Sequence, residues 1–306
     1  MPDLDYDVYI DEQDIPDISS IKPDNPEDYK CAPTKTFENG SCIPLNLLVE
    51  MAHAYNEKNS DKLKLCRTIE TLNPQKYKKY LVDEFSKRLS NVCDSQKCWV
   101  KQDFVNRLEG KLREELSKNT YRPVGPGGKF TWLNTFNIND VMSQYEHKYT
   151  DFKFLGALPI DFDELPGLGI KNLNFDQVCK NENKKRWGVV FNLDEHYKDG
   201  SHWVAMYADF NKGEVYFFDS YGVEPEPRIR KFMRRCARYM ENKLNLTPKC
   251  DYNKTKHQQD GSECGVYSIN FILRMLKGET FEEINGKRMP DEEVNKCREV
   301  YFTKPK

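Results

Sequence analysis

The sequence predicts an α+β protein: a helical arm followed by a larger domain that mixes strands with long helices. Three observations predict it. Between residues 41 and 118 the apolar residues recur at helical spacing. Residues 121–129 then interpose two prolines and three glycines, the strongest punctuation in the chain. Beyond them, short strand-period runs lead into amphipathic helices. The boundary falls in that punctuation, giving an acidic tail over residues 1–40, a helical arm over 41–120 and a core domain over 121–306.

Each element has its own signal. From Met1 to about Phe37 the chain is acidic and has Pro2, Pro16, Pro23, Pro26 and Pro33 without a sustained apolar period, so it reads as a disordered tail. Ser41 and Pro44 start a helix whose stripe is Leu45, Leu48, Met51, Ala52 and Tyr55. A second stripe runs Tyr77, Leu81, Phe85, Leu89, Val92, and a third Phe104, Leu108, Leu112, Leu116. In the core domain Trp187–Asn192, Trp203–Asp209 and Glu214–Asp219 read as strands, the last two joined at Asn211–Gly213 as a hairpin. A helix follows with Ile229, Phe232, Met233, Cys236, Met240 and Leu244 on its apolar face and five arginines on the other. Another spans Cys264–Lys277, closed by Gly278, and a last one follows Pro290.

Composition excludes several classes. No apolar run approaches the roughly 18 residues of a membrane span, so no membrane role is expected. The opening Pro2–Asp5 lacks the basic-then-apolar grading of a secretory signal, which makes a reducing compartment the expectation and predicts no disulfide framework for the ten cysteines. Residues 1–30 hold ten acids against two lysines, leaving a surplus of +6 on the rest, too small to announce a nucleic-acid binder. The basic helix Arg228–Lys243 reads as a solvated face; its functional alternative is weak contact with nucleic acid or an acidic precursor protein. Cys93-x4-Cys98 has no second Cys/His pair nearby, so no metal site is expected and both cysteines read as structural.

Among ten cysteines, Cys264 stands apart by context. It lies where the polar turn Gln258–Glu263 gives way to an apolar helix, and backbone N–H groups at a helix start favour a thiolate. Gly261 and Gly265 allow a sharp entry and leave room for a substrate backbone. A thiolate nucleophile needs a base. Of the five histidines, His53 falls in the helical arm and His196 in a polar loop, whereas His202 begins a strand. Read alone, His202 fits a strand cap as well, and Asp219 fits a turn. Hairpin pairing about Asn211–Gly213 nevertheless brings the start of one strand beside the end of the next, so His202 and Asp219 should be neighbours.

The order His, Asp, Cys, with His202-Trp203, Phe218-Asp219-Ser220 and Gln258 six residues before Cys264-Gly265, resembles the ubiquitin-like-protein proteases and their viral relatives. More closely it is similar to the polyprotein-processing cysteine proteases of African swine fever virus and other giant DNA viruses, through the Asn134–Asp140 and Cys93–Cys98 stretches. The resemblance covers roughly residues 90–306. It implies a papain-like fold, with a mixed central sheet flanked by helices, and a thiol endopeptidase without a cofactor. It also implies Cys264 as nucleophile, His202 as general base, Asp219 as its partner and Gln258 as an oxyanion-hole donor. Gln259 adjoins Gln258, so a one-residue difference in turn length would exchange their roles. Trp203, Trp132 and Gly265 are the implied substrate-binding residues, lining a channel for Gly-Gly-Xaa sites. Trp132 and Phe136 both remain candidates to roof it.

By that resemblance the substrates are viral capsid and core precursors, and the place of action is the virion and the host cytoplasm. A deconjugase of ubiquitin-like modifiers and an acyltransferase would use the same triad. Gly127-Gly128-Lys129, the only Gly-Gly pair in the chain, reads as a hinge or as a self-cleavage site.

Overall fold

The computed structural model describes residues 22–23, 25–65 and 73–304. The described residues divide into two units, one within 23–125 and 301–304, the other made of Lys22 and residues 126–300.

The first unit is helical. α1 (Leu45–Lys58) buries Leu47, Leu48, Met51, Ala52, Ala54 and Tyr55. α2 (Pro74–Leu89) begins where Asn73 accepts from the N–H groups of Gln75 and Lys76, with proline at the first helical position. Its Leu81 and Phe85 meet Trp99, from the short α3 (Gln96–Trp99), and Phe104 in one core. The third stripe is not one helix, as the spacing suggested. A 3-10 turn over Val105–Arg107 ends at Leu108, whose extended backbone (ψ 152°) breaks the ladder before α4 (Gly110–Lys118).

Three further expectations fail in this unit. The tail read over residues 1–40 lies outside the described residues as far as Ile21, but from Asn25 on the chain is folded. Asn25 caps a 3-10 helix over Pro26–Lys30, Ala32 N–H donates to Thr120 O at 3.0 Å, and Cys31 is fully buried. Nor do the cysteines all stay reduced, since Cys31 is bonded to Cys42 and Cys93 to Cys98. The first bond anchors a segment too polar to fold through its own apolar contacts. The C-terminus also departs from the single span 121–306: Thr303 N–H donates to Pro123 O at 2.8 Å and Gly125 N–H to Thr303 O at 2.9 Å, within the helical unit.

The second unit carries a five-stranded sheet in the order β1-β2-β3-β4-β5. Its strands are β1 (Phe152–Pro159), β2 (Arg186–Asn192), β3 (Trp203–Asp209), β4 (Glu214–Phe218) and β5 (Lys249–Tyr252). β1 runs parallel to β2, β2–β3 and β3–β4 are antiparallel, and β4–β5 is parallel. α5 (Thr135–Lys148) starts on a reciprocal Asn134–Asn137 capping box and lies against β1.

Alternation along the strands explains how both sheet faces are covered. Val204, Met206 and Ala208 of β3 join Val215 and Phe217 of β4 in a core with Ile229, Phe232 and Cys236 of α6 (Pro227–Leu244). On the other face Phe218 stacks on Phe271 of α7 (Cys264–Lys277), with ring centroids 5.0 Å apart. α7 is buried from Cys264 to Leu276 and ends at Gly278 in the left-handed region (φ 99°). α8 (Phe281–Gly286) and α9 (Asp291–Tyr301) complete the fold. No described helix is long and apolar enough to cross a membrane.

Candidate functional site

The β3–β4 hairpin assembles half of the site. Its register runs from Asp209↔Glu214 to Ala205↔Phe218, so the residue entering β3 and the residue leaving β4 lie at one sheet end. There His202 Nε2 meets Asp219 Oδ1 at 2.6 Å. Asp219 is almost fully buried and is held from two sides. Its Oδ1 accepts the Tyr221 N–H at 3.0 Å, and its peptide is clamped by Asn253, whose Oδ1 accepts the Asp219 N–H at 2.8 Å while Nδ2 donates to Asp219 O at 2.7 Å.

α7 delivers the sulfur. Cys264 is its first residue, and its sulfur acts on the His202 ring. With Nε2 committed to Asp219, that leaves Nδ1 for the sulfur. Burial alone would push the His202 imidazole down, but the hydrogen bond to Asp219 and the contact with Cys264 outweigh it and raise it to about 9. The raised imidazole thus favours its protonated form, beside a sulfur at a helix N-terminus, an arrangement suited to passing a proton between ring and substrate.

The turn before α7 settles which glutamine points inward. Gln258 is fully buried: its Oε1 accepts from Ser220 Oγ at 2.7 Å and its Nε2 donates to Asp260 O at 2.7 Å. One of the two Nε2 hydrogens remains for a further acceptor. Gln259 is exposed and contributes its backbone N–H to Asp291 Oδ2 at 2.9 Å.

Of the residues expected to line a channel, Trp203 and Gly265 are brought together with Leu133. The Trp203 indole donates to Leu133 O at 2.8 Å, and a Cβ added at Gly265 would lie 3.0 Å from Leu133 Cβ and 3.3 Å from Trp203 Cδ1. Trp203 is buried, whereas Trp132 and Phe136 are both exposed, Phe136 the more so on the first turn of α5.

Sequence reasoning missed two residues. Asn253 follows an exposed edge strand with no pattern to single it out. Tyr221 stacks on the His202 ring with centroids 4.9 Å apart and 28° between planes, and its hydroxyl donates to Asp260 O at 3.0 Å. The His196 ring, read as a loop residue, pairs with Asp161 at 2.5 Å. On α6, Arg228, Arg230 and Arg235 face Glu226, Glu224 and Asp163 at 2.9–3.2 Å. Among the described residues no cluster of three or more His, Cys, Asp or Glu side chains could hold a metal ion.

Residues 137–303 match the family model described as YopJ Serine/Threonine acetyltransferase. The chain is 39% identical over 280 residues to "Putative thiol protease R355" of Acanthamoeba polyphaga mimivirus, covering 89% of this chain and 92% of that one. It is 24% identical over 246 residues to a SUMO-1 cysteine protease of African swine fever virus, covering 74% and 89%. The crystal structure of an African swine fever virus protease is similar in fold, with a TM-score of 0.58 at 24% identity over 82% of this chain and 95% of that one.

Proposed function

The chain belongs both to the family described as YopJ Serine/Threonine acetyltransferase and to the viral thiol proteases that include its mimivirus relative, and from that premise we propose how it cuts and what it cuts. It is a cysteine protease. Its reaction is endopeptidic cleavage of virion structural precursors, the capsid and core proteins, at Gly-Gly-Xaa sites during particle maturation, in the infected cytoplasm and the assembling virion.

One observation carries the assignment of roles: the His202 imidazole lies between the Asp219 carboxylate and the Cys264 sulfur. Cys264 attacks the peptide carbonyl and forms a C–S bond. His202, already protonated, gives its proton to the departing amine, so the C–N bond breaks and a thioester remains. The neutral imidazole then takes a proton from water, which attacks the thioester and releases the acid. Asp219 holds the ring in the orientation both steps need. The Cys264 N–H and the second Nε2 hydrogen of Gln258 stabilise the oxyanion, a donor of that kind contributing on the order of 10² to 10³ in rate. The tight packing of Trp203, Leu133 and Gly265 next to the nucleophile supports a preference for substrate residues without side chains. The paired arginines of α6 lend no comparable support to nucleic-acid contact.

A second reading has its own support, the acetyltransferase description of the matching family model. Both reactions begin with an acyl group on Cys264 and differ in what removes it, water or a hydroxyl acceptor. Incubation with a Gly-Gly-Xaa peptide, a ubiquitin-like fusion and an acyl-CoA, each beside Cys264→Ala, separates the cases. We expect the peptide to be cut after Gly-Gly by the wild type and not by the variant. Acyl transfer from the acyl-CoA without peptide cleavage would overturn the endopeptidase reading, and cleavage of the fusion alone would replace it with deconjugation.

A further inference from the structure

We propose that Tyr221 is a positioning residue that holds the His202 imidazole in register with the Gln258–Asp260 turn, so that the proton donor to the leaving amine and the oxyanion donor address one scissile peptide bond. The proposal rests on the roles assigned to His202 and Gln258 above and extends them to a residue outside the triad.

Three contacts from this one residue carry it. The Tyr221 ring stacks on the imidazole, 4.9 Å between centroids at 28°, and so restricts its tilt. The Tyr221 N–H donates to Asp219 Oδ1 at 3.0 Å, the same oxygen that meets His202 Nε2 at 2.6 Å. The Tyr221 hydroxyl donates to Asp260 O at 3.0 Å, the same carbonyl that accepts Gln258 Nε2 at 2.7 Å. Tyr221 therefore shares one acceptor with the base and another with the oxyanion donor.

The backbone beneath it is fixed independently. Gly222 closes the turn by donating to Asp219 O at 2.8 Å with φ at 73°, and a Cβ there would lie 2.9 Å from Lys254 O. The side chain thus leaves a rigid turn in a defined direction and bridges to a second loop.

The charged groups around this contact are few. Asp219 and Cys264 face the imidazole, while Lys256 lies over the tyrosine ring at 5.6 Å and the carboxylates of Asp291 and Glu263 act on its hydroxyl. Substituting Tyr221 removes none of them. Because the aromatic face attracts a cation, the stack favours imidazolium over imidazole.

The ring and the hydroxyl can be separated by mutation. Tyr221→Phe keeps the stack and loses the tether. It should lower kcat about 3- to 10-fold with KM unchanged, and most of that loss should vanish when Gln258 is already alanine. Tyr221→Leu loses the stack. The alkaline step in the rate of Cys264 alkylation by iodoacetamide should then move down by about half to one pH unit, while Tyr221→Phe leaves it in place.

An unmoved step in Tyr221→Leu, or an undiminished Tyr221→Phe loss in the Gln258→Ala background, would overturn the proposal. Should Tyr221→Leu fail to fold, the Tyr221→Phe and Gln258→Ala cycle decides alone. Alkylation needs no substrate, so a wild type that alkylates with the expected profile but cuts no peptide would sink the protease reading and leave the effect on His202 standing.

Discussion

Ser220 Oγ donates to Gln258 Oε1 at 2.7 Å, joining the residue after Asp219 to the amide six positions before Cys264. The contact orients that amide. Asp260 O can only accept, so Nε2 must face it, and Ser220 satisfies the oxygen on the other side. Ser220 O also receives the backbone N–H groups of His257 and Gln258, at 2.8 and 2.9 Å. Gln258→Ala should lower kcat by about two to three orders of magnitude with little change in thiol alkylation, because it acts on the oxyanion and not on the sulfur. Ser220→Ala should cost about tenfold, since the amide loses one of two tethers. Gln259→Ala should be near neutral. A large loss in Gln259→Ala with a small one in Gln258→Ala would exchange their roles.

Asp219→Asn should be milder than Asp219→Ala. The acid's Oδ1 accepts from both His202 and Tyr221, and an amide oxygen can keep both bonds while losing the charge that favours imidazolium. We expect kcat/KM to fall about tenfold in Asp219→Asn and more than a hundredfold in Asp219→Ala, whose imidazole loses its hydrogen-bonded partner and keeps only the Tyr221 stack. Equal losses in the two variants would mean that charge, and not orientation, dominates.

Two histidines, half-buried His202 and buried His257, should shape the pH dependence of stability with opposite signs. His202 is raised to about 9, so its contribution is complete below the unfolded value near 6.5 and is lost as pH rises through about 9. His257 is lowered to about 4, because burial, aided by the charges of Arg274 and Arg288, disfavours its cation. Its Nδ1 accepts the Met289 N–H at 3.1 Å while Nε2 is buried without a partner among the described residues. The unfolded chain therefore binds a proton at His257 more readily, and stability falls as pH drops from about 6.5 toward 4. Urea midpoints at about pH 5, 7 and 9 should peak in the middle, and Asp219→Asn should flatten the alkaline side only.

Legibility in the sequence followed the range of the interactions. The ends of α7 and α9 were readable because Gly278 and Pro290 mark them chemically. The His202–Asp219 contact was readable because hairpin register is a local property. β1 was not, since Gly156 at φ 115° and the irregularity between Phe154 and Ala157 spoil its alternation. β5 is four mostly exposed residues at a sheet edge, with no apolar face to betray it. Tyr221 and Asn253 gain their roles from which loops meet in space, and spacing along the chain carries no trace of that. The disulfides escaped for a related reason: pairing depends on which cysteines the fold brings close, and the composition argument addressed only the compartment.

That last miss is open to direct test. The bonds Cys31–Cys42 and Cys93–Cys98 both lie in the helical unit, while Cys264 is free. Under denaturing, non-reducing conditions at least four of the ten cysteines should therefore resist alkylation until reductant is added. The loops they close span 11 and 5 residues in sequence separation. The chain-entropy account assigns closures of that size about 2 to 3 kcal/mol each. Reduction, or Cys31→Ser with Cys42→Ser, should lower the stability of the helical unit while leaving Cys264 alkylation at its original rate. Cys31–Cys42 should matter more, because the polar segment from Asn25 to Gly40 has few other anchors. They are chiefly the Ala32–Thr120 and Lys30–Arg122 backbone contacts, the Lys35–Glu115 ion pair and the bond from Gln96 Nε2 to Gly40 O. Protease-resistant mapping of the reduced protein should then find its first cuts between residues 25 and 40. Ten alkylatable cysteines in the unreduced denatured chain would instead restore the fully reduced state that the composition suggested, and would leave the folding of that segment to those few contacts alone.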